Sequence, residues 1–172
     1  TYWQDAIAKE MYNVSIAFKI LEDDESLPVG YSKSSGHLMF DVKMDFTRKA
    51  RWVKDGHKHA DPASSSYAGV VSRESIRIML TWAALHDVDI MAPDIRNAYL
   101  QAPTSEKHFV ICGLEFGLEH LGKRALVVRA LYGGKKAGHD FWKHLRSCMS
   151  YLGFESSKAD PDVWYRSFTR AD

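Results

Sequence analysis

Apolar residues near the start recur at Trp3, Ile7, Met11 and Val14, the three-to-four spacing that lines one face of a helix. The pattern stops before the acidic run Glu22-Asp23-Asp24-Glu25 and the turn formers Pro28 and Gly30, so this stretch reads as a loop. From His37 to Lys54 the pattern becomes strand-like. Two short pieces, Leu38–Lys43 and Ala50–Lys54, flank Asp45-Phe46-Thr47 and predict a hairpin. The small and polar segment Ala60–Gly69 reads as a loop or connection. Ser72 can cap a helix whose apolar face is Ile76, Met79, Leu80 and Ala83, with Glu74 well placed in its first turn. Beyond it, Val88–Ala92, Lys107–Cys112 and Ala125–Arg129 read as strands. A last helical stripe, Phe141, Leu145, Cys148, Met149 and Leu152, ends at Gly153. There is no internal repeat, and the mixture predicts an α+β fold.

Length and composition bound this picture without sharpening it. With 172 residues, 45% hydrophobic and 26% charged, the chain can bury a sizeable core as one domain or an unequal pair. Cys112 and Cys148 are too few for a disulfide framework and lack metal-binding spacing, so a reducing compartment is expected. No apolar run approaches the roughly 20 residues needed to span a bilayer, so no membrane partner is expected. The first residues, Thr1-Tyr2-Trp3-Gln4, do not open a signal peptide and lack an initiating Met, as in a segment of a longer chain.

Net charge is +1, yet the charges are not evenly spread. Residues 1–45 carry Lys9, Lys19, Lys33 and Lys43 against twice as many carboxylates. Residues 46–60 carry Arg48, Lys49, Arg51, Lys54 and Lys58 against Asp55 alone, and residues 123–146 hold a second basic block opposed by Asp140. Such blocks either form solvated faces or grip phosphates.

Three ordered segments carry the most specific signal. They are Arg48-Lys49-Ala50-Arg51-Trp52-Val53, Asp94-Ile95-Arg96-Asn97-Ala98-Tyr99-Leu100-Gln101-Ala102-Pro103, and Arg129-Ala130-Leu131-Tyr132-Gly133-Gly134-Lys135-Lys136. Phe40-Asp41-Val42-Lys43, Tyr67 to Ser75 and Ala159 to Trp164 support them. As a set they resemble the reverse transcriptase of Ty1/copia-type retrotransposons over almost the whole chain.

That resemblance implies the fingers and partial palm of a right-hand polymerase, with an antiparallel sheet and packed helices. Residues 1–69 would hold the first helix and the fingers hairpin, and residues 70–172 the palm and fingers helices with the first catalytic motif. The implied reaction is RNA-directed DNA synthesis: nucleotidyl transfer to a primer 3′ end by a two-metal mechanism, with Mg²⁺ as the ion and Mn²⁺ as a substitute. By resemblance Asp94 is a catalytic metal ligand and the Ile95 backbone carbonyl another. Tyr99 matches the aromatic that lies under the sugar and rejects a 2′-hydroxyl. Lys49 and Arg51 would contact the incoming triphosphate, and strand alternation puts both on one face. Gly133, Lys135 and Lys136 would contact template and primer. The implied partners are RNA and DNA template-primer, deoxynucleoside triphosphates and the remaining segments of a polyprotein. The implied setting is a cytoplasmic retrotransposon particle, with the nucleus as an alternative.

The family's later aromatic-x-Asp-Asp turn occurs nowhere in these residues, so the chain is expected to stop before the later palm strands and to be inactive by itself. Pro93, Gly134, Trp52 and Asp55 also depart from the family pattern. The competing reading is a non-catalytic nucleic-acid-binding or structural remnant of a retrotransposon polyprotein. His57 and His59 lack the paired spacing of a zinc site. Cys148, Trp82, Trp142 and Trp164 read as core or interface residues.

Overall fold

The Trp3–Val14 stripe forms helix α1 (Tyr2–Val14) in the computed structural model, which describes residues 2–167. It buries Val14 and packs Met11 against the main core, then passes through a single 3-10 turn into strand β1 (Phe18–Ile20). The acidic run is a loop, as predicted, and leads to the two-residue strand β2 (Ser32–Lys33).

The predicted hairpin forms with both arms slightly longer, as β3 (Gly36–Val42) and β4 (Arg48–Lys54). Its antiparallel register runs from Gly36 opposite Lys54 to Val42 opposite Arg48. At the tip the Asp45 carboxylate accepts the Thr47 N–H at 3.0 Å, and Phe46 takes a left-handed conformation with φ 61°. Burial rises along β4, from exposed Arg48 to Trp52, Val53 and Lys54, all buried.

Helix α2 (Arg73–Leu85) starts where Ser72 caps it, its hydroxyl accepting the Ser75 N–H at 3.0 Å. Only Ala83 of its predicted apolar face is buried; Ile76, Met79 and Leu80 are 41–47% exposed. Trp82 is likewise exposed and stacks on His86 with ring centroids 4.5 Å apart.

Val88–Ala92 is not a strand. The segment has no regular secondary structure, and Val88, Ile90 and Met91 are exposed. The Val88 N–H donates to the Ala83 carbonyl at the end of α2. An alternating apolar run becomes a strand only where it pairs with another strand, and among the described residues this one pairs with none.

The chain continues through the one-turn helix α3 (Ala98–Gln101), strands β5 (His108–Ile111) and β6 (Arg124–Val127), and helix α4 (Ala137–Tyr151). A two-residue ladder, β7 (Glu155–Ser156) with β8 (Trp164–Tyr165), closes the described residues. The main sheet has the order β1-β6-β5-β2. Its first two pairings are antiparallel, but β2 runs parallel to β5, so the sheet is mixed rather than wholly antiparallel. The main core joins Val14, Ala17 and Trp52 to Leu100, Val110, Cys112, Ala125, Val127 and Leu131, drawing on α1, β4, α3 and the sheet together.

The segment after α4 is tied back to α2. Asp160 Oδ2 accepts the Ser72 N–H at 2.9 Å and the Ser75 hydroxyl at 2.6 Å. These bonds, led by that from Ser75, hold the Asp160 carboxyl down from 3.8 to about 2. The stabilisation is therefore fully present above about pH 4 and is lost as pH falls through about 2. Asp160→Ala is expected to speed amide exchange in the first turn of α2 at neutral pH, read by hydrogen exchange, with little effect at the centre of α4.

Candidate nucleotide-binding site

Alternation along β4 carries Lys49 and Arg51 to one side of the hairpin, opposite Asp41 and Met39 of β3. Both border a cavity of about 260 Å³. Tyr99, on α3, forms part of the same lining with Tyr132 and Glu10. Three residues singled out from two separate sequence motifs thus meet in one concavity.

The aromatic wall is braced from behind. Tyr99 stacks on Tyr132 at 6.2 Å between ring centroids and meets the edge of Phe141 at 6.1 Å. The Arg51 guanidinium lies 5.9 Å from the Tyr132 ring centroid, within cation–π range. Tyr99 and Phe141 also pack against a small second core of Ala102, Ala130 and Ala137.

Glu10 is a site residue that the sequence does not announce. Its Oε1 accepts the Trp52 N–H at 2.9 Å, so a carboxylate from α1 satisfies a backbone donor of the hairpin next to Arg51. The only signal for it was its place one turn from Ala6 and Val14 on a helix; nothing local pairs it with residue 52. The Trp52 indole fills the gap behind, edge-on to Phe18 at 5.1 Å and to Phe116 at 6.2 Å.

The base of the hairpin contains a buried cation. The Lys54 side chain is 1% exposed, and its ammonium donates to Glu106 Oε2 at 3.0 Å and to His108 Nδ1 at 2.6 Å. Burial pushes the Lys54 ammonium below its ordinary value while Glu106 opposes the shift. His108 falls from 6.5 to about 4, through burial first and then the Lys54 and His59 charges. Its Nδ1 accordingly serves as an acceptor for Lys54, and the neutral ring makes no ion pair with Glu106 at neutral pH. His59 stacks on His108 at 4.1 Å and is also held below its ordinary value, chiefly by burial.

The remaining predicted residues lie elsewhere. Gly133 has φ 86°, and a Cβ there would overlap the Lys54 carbonyl, so the turn after β6 needs glycine to reach the hairpin base. Lys135 donates to the His59 carbonyl at 2.6 Å and to Asp61 Oδ1 at 2.7 Å, while Lys136 donates to Ser64 Oγ at 2.8 Å. Both lysines brace the 59–64 loop. Asp94 and Ile95 are exposed in the irregular segment before α3 and do not line the Lys49–Arg51–Tyr99 cavity. Among the described residues no three His, Cys, Asp or Glu side chains are grouped so as to hold a metal ion. Cys112 is buried with its thiol pushed up by burial, and Cys148 is half-buried, 3.7 Å from His144 Nε2. No helix among the described residues is long and apolar enough to cross a membrane.

A family model described as reverse transcriptase (RNA-dependent DNA polymerase) matches residues 27–172. The chain belongs to this reverse transcriptase family. It is also 26% identical over 162 residues to a retrovirus-related Pol polyprotein from transposon TNT 1-94 of Nicotiana tabacum. That alignment covers 88% of this chain and 12% of the polyprotein. The copia-type resemblance carried by the three motifs is borne out by these matches. No solved structure matches the chain.

Two stability measurements on this reverse transcriptase segment check the geometry. Glu10→Ala leaves a buried donor unpaired and is expected to cost about 1–3 kcal/mol in urea unfolding, whereas Glu10→Gln, which retains an acceptor, costs less. Because an unfolded His108 takes up its proton near 6.5 and the folded one only near 4, stability should fall as pH drops across that window. His108→Asn should flatten this acid limb when unfolding is compared at pH 7, 5 and 4.

Proposed function

We propose that the Lys49–Arg51–Tyr99 cavity receives the incoming deoxynucleoside triphosphate of an RNA-directed DNA polymerase. In this reading the chain is the fingers and partial palm. Residues 1–69 bring the first helix and the hairpin, and residues 70–172 bring the first catalytic motif. The observation that carries the reading is the convergence of the two hairpin cations and the braced tyrosine on one cavity.

The chemistry of each side chain suits that task. A guanidinium grips phosphate oxygens through two parallel N–H donors, and an ammonium acts as a point charge, so Arg51 and Lys49 together can offset a triphosphate. Tyr99 is held between Tyr132 and Phe141, so its ring cannot easily swing away from a sugar placed above it. Such a plate would exclude a 2′-hydroxyl by contact. Template and primer would approach from the side of Gly133, Lys135 and Lys136, whose ammonium groups would exchange their loop acceptors for phosphate oxygens.

Divalent ions supply charge stabilisation to nucleotidyl transfer when bound, and need several hard oxygen ligands. Asp94 offers one carboxylate and Ile95 one backbone carbonyl. These do not make a two-ion site, and no aromatic-x-Asp-Asp turn is present among the 172 residues to complete one. We therefore expect the 172-residue segment to be inactive alone, acting beside other polyprotein segments in a retrotransposon particle. The second reading is a non-catalytic nucleic-acid-binding or structural remnant of a retrotransposon polyprotein.

Isothermal titration of the 172-residue chain with inorganic triphosphate tests the cavity. Lys49→Gln and Arg51→Gln should each weaken binding about tenfold, the loss expected for one charge-assisted contact. Absence of binding by the unaltered chain, or affinity in both variants equal to that of the unaltered chain, overturns the reading. Primer extension with Mg²⁺ should stay at background for the segment. In a longer polyprotein chain that does extend primers, Asp94→Ala should abolish the activity; a chain with no activity supports the remnant.

A further inference from the structure

The chain between His59 and Ser72 forms neither helix nor strand and lies across the turn that carries Gly133 and the start of α4. Its two ends are fixed. His59 Nε2 lies 2.8 Å from Ser34 Oγ and its ring stacks on His108, while the Ser72 N–H donates to Asp160 at 2.9 Å. Between these anchors none of residues 60–71 is buried, and Asp61 is the only charged residue among them. A long irregular stretch that is held at both ends and places no side chain in a core can lift without opening the fold.

What holds it down is mostly polar. Lys135 Nζ donates to the His59 carbonyl at 2.6 Å and to Asp61 Oδ1 at 2.7 Å, and Lys136 Nζ donates to Ser64 Oγ at 2.8 Å. Further along, His139 Nδ1 donates to the Tyr67 carbonyl, and the Tyr67 ring meets Trp142 edge-on at 6.4 Å. A carbonyl, a carboxylate and a hydroxyl oxygen therefore surround the two ammonium groups, and these are acceptors of the kind that a phosphate offers. The carboxylate also cancels a charge. The Asp61 side chain is 93% exposed and that of Lys135 only 25%. An ion pair with so exposed a member is worth about fivefold at most in an equilibrium constant, which leaves it open to competition.

We propose that residues 60–71 are an autoinhibitory strap, which covers the Lys135 and Lys136 ammonium groups with built-in substitutes for phosphate and must lift before either can engage one. The inference rests on the reading of these lysines as template and primer contacts, and adds to it a competitor carried by the chain itself.

The test combines lysine labelling with duplex binding in the 172-residue chain. Asp61→Asn/Ser64→Ala weakens the strap's side-chain hold and leaves its backbone acceptor in place. Without nucleic acid, acetylation by an N-hydroxysuccinimide ester, followed by mass spectrometry, should become faster at Lys135 and Lys136 in this variant and stay the same at Lys33. Fluorescence anisotropy with a labelled RNA–DNA duplex should show about threefold to fivefold tighter binding by the variant, as expected for loss of one exposed competing pair. That gain should vanish when Lys135→Gln/Lys136→Gln is added. Unchanged labelling overturns the strap. Faster labelling with no gain in duplex affinity overturns its inhibitory role, as does an equal gain with and without the two lysines, which a lost negative charge alone would produce. Lysine replacements that leave duplex affinity unaltered in the Asp61→Asn/Ser64→Ala chain remove the template and primer reading itself, and the inhibitory role with it.

Discussion

The Lys54 ammonium is almost wholly withdrawn from water, and a charge in that position is tolerated only where acceptors replace the solvent it has lost. Glu106 Oε2 and His108 Nδ1 supply them, one from the connection before β5 and the other from β5 itself. The Lys54 N–H meanwhile donates to the Tyr132 carbonyl at 2.8 Å. One residue therefore joins the hairpin to the sheet and to the turn that carries Gly133. Its neighbour Asp55 extends the junction, accepting from Ser35 Oγ at 2.6 Å and Lys58 Nζ at 2.6 Å, which hold its carboxyl far below the usual range. Glycine at 56 and 133 lets the two backbones approach, since a Cβ on Gly56 would overlap the Gly133 carbonyl.

With its base held, the hairpin presents its cations by simple alternation. Lys49 and Arg51 point to the same side as the braced Tyr99 because β4 has period two and α1 lies along it, with Glu10 gripping the backbone at Trp52. The increase in burial from Arg48 to Lys54 separates two tasks on one strand. Its outer residues keep more contact with solvent, while its inner residues are committed to packing. Lys54 and Lys49 differ by five positions and have unrelated roles, which a count of positive charge over residues 46–60 merges into one basic block.

Helices α1, α2 and α4 and the hairpin were legible because each carries its own signal: a stripe, a cap, a terminating glycine, or alternation across a turn. The Lys49–Arg51 pairing was legible for the same reason. Val88–Ala92 misled because alternation records only a preference for extended backbone, and among the described residues that segment joins no ladder. The apolar face of α2 was read correctly as a pattern, yet Ile76, Met79 and Leu80 remain half exposed. The lysines at 135 and 136 were read as nucleic-acid contacts, and their immediate work in the fold is to hold the 59–64 loop.

By itself the sequence determined the family and the α+β class, because these depend on residue type, order and short-range spacing. Tertiary structure alone decided that Glu10 serves Trp52, that Lys54 is withdrawn from solvent beside Glu106 and His108, and that Lys9 and Arg96 share a groove with the hairpin. Those relationships join residues 34 to 87 positions apart in the chain. No local periodicity encodes such distances; they arise only when the backbone's unmet donors and the buried charges find acceptors across the folded chain.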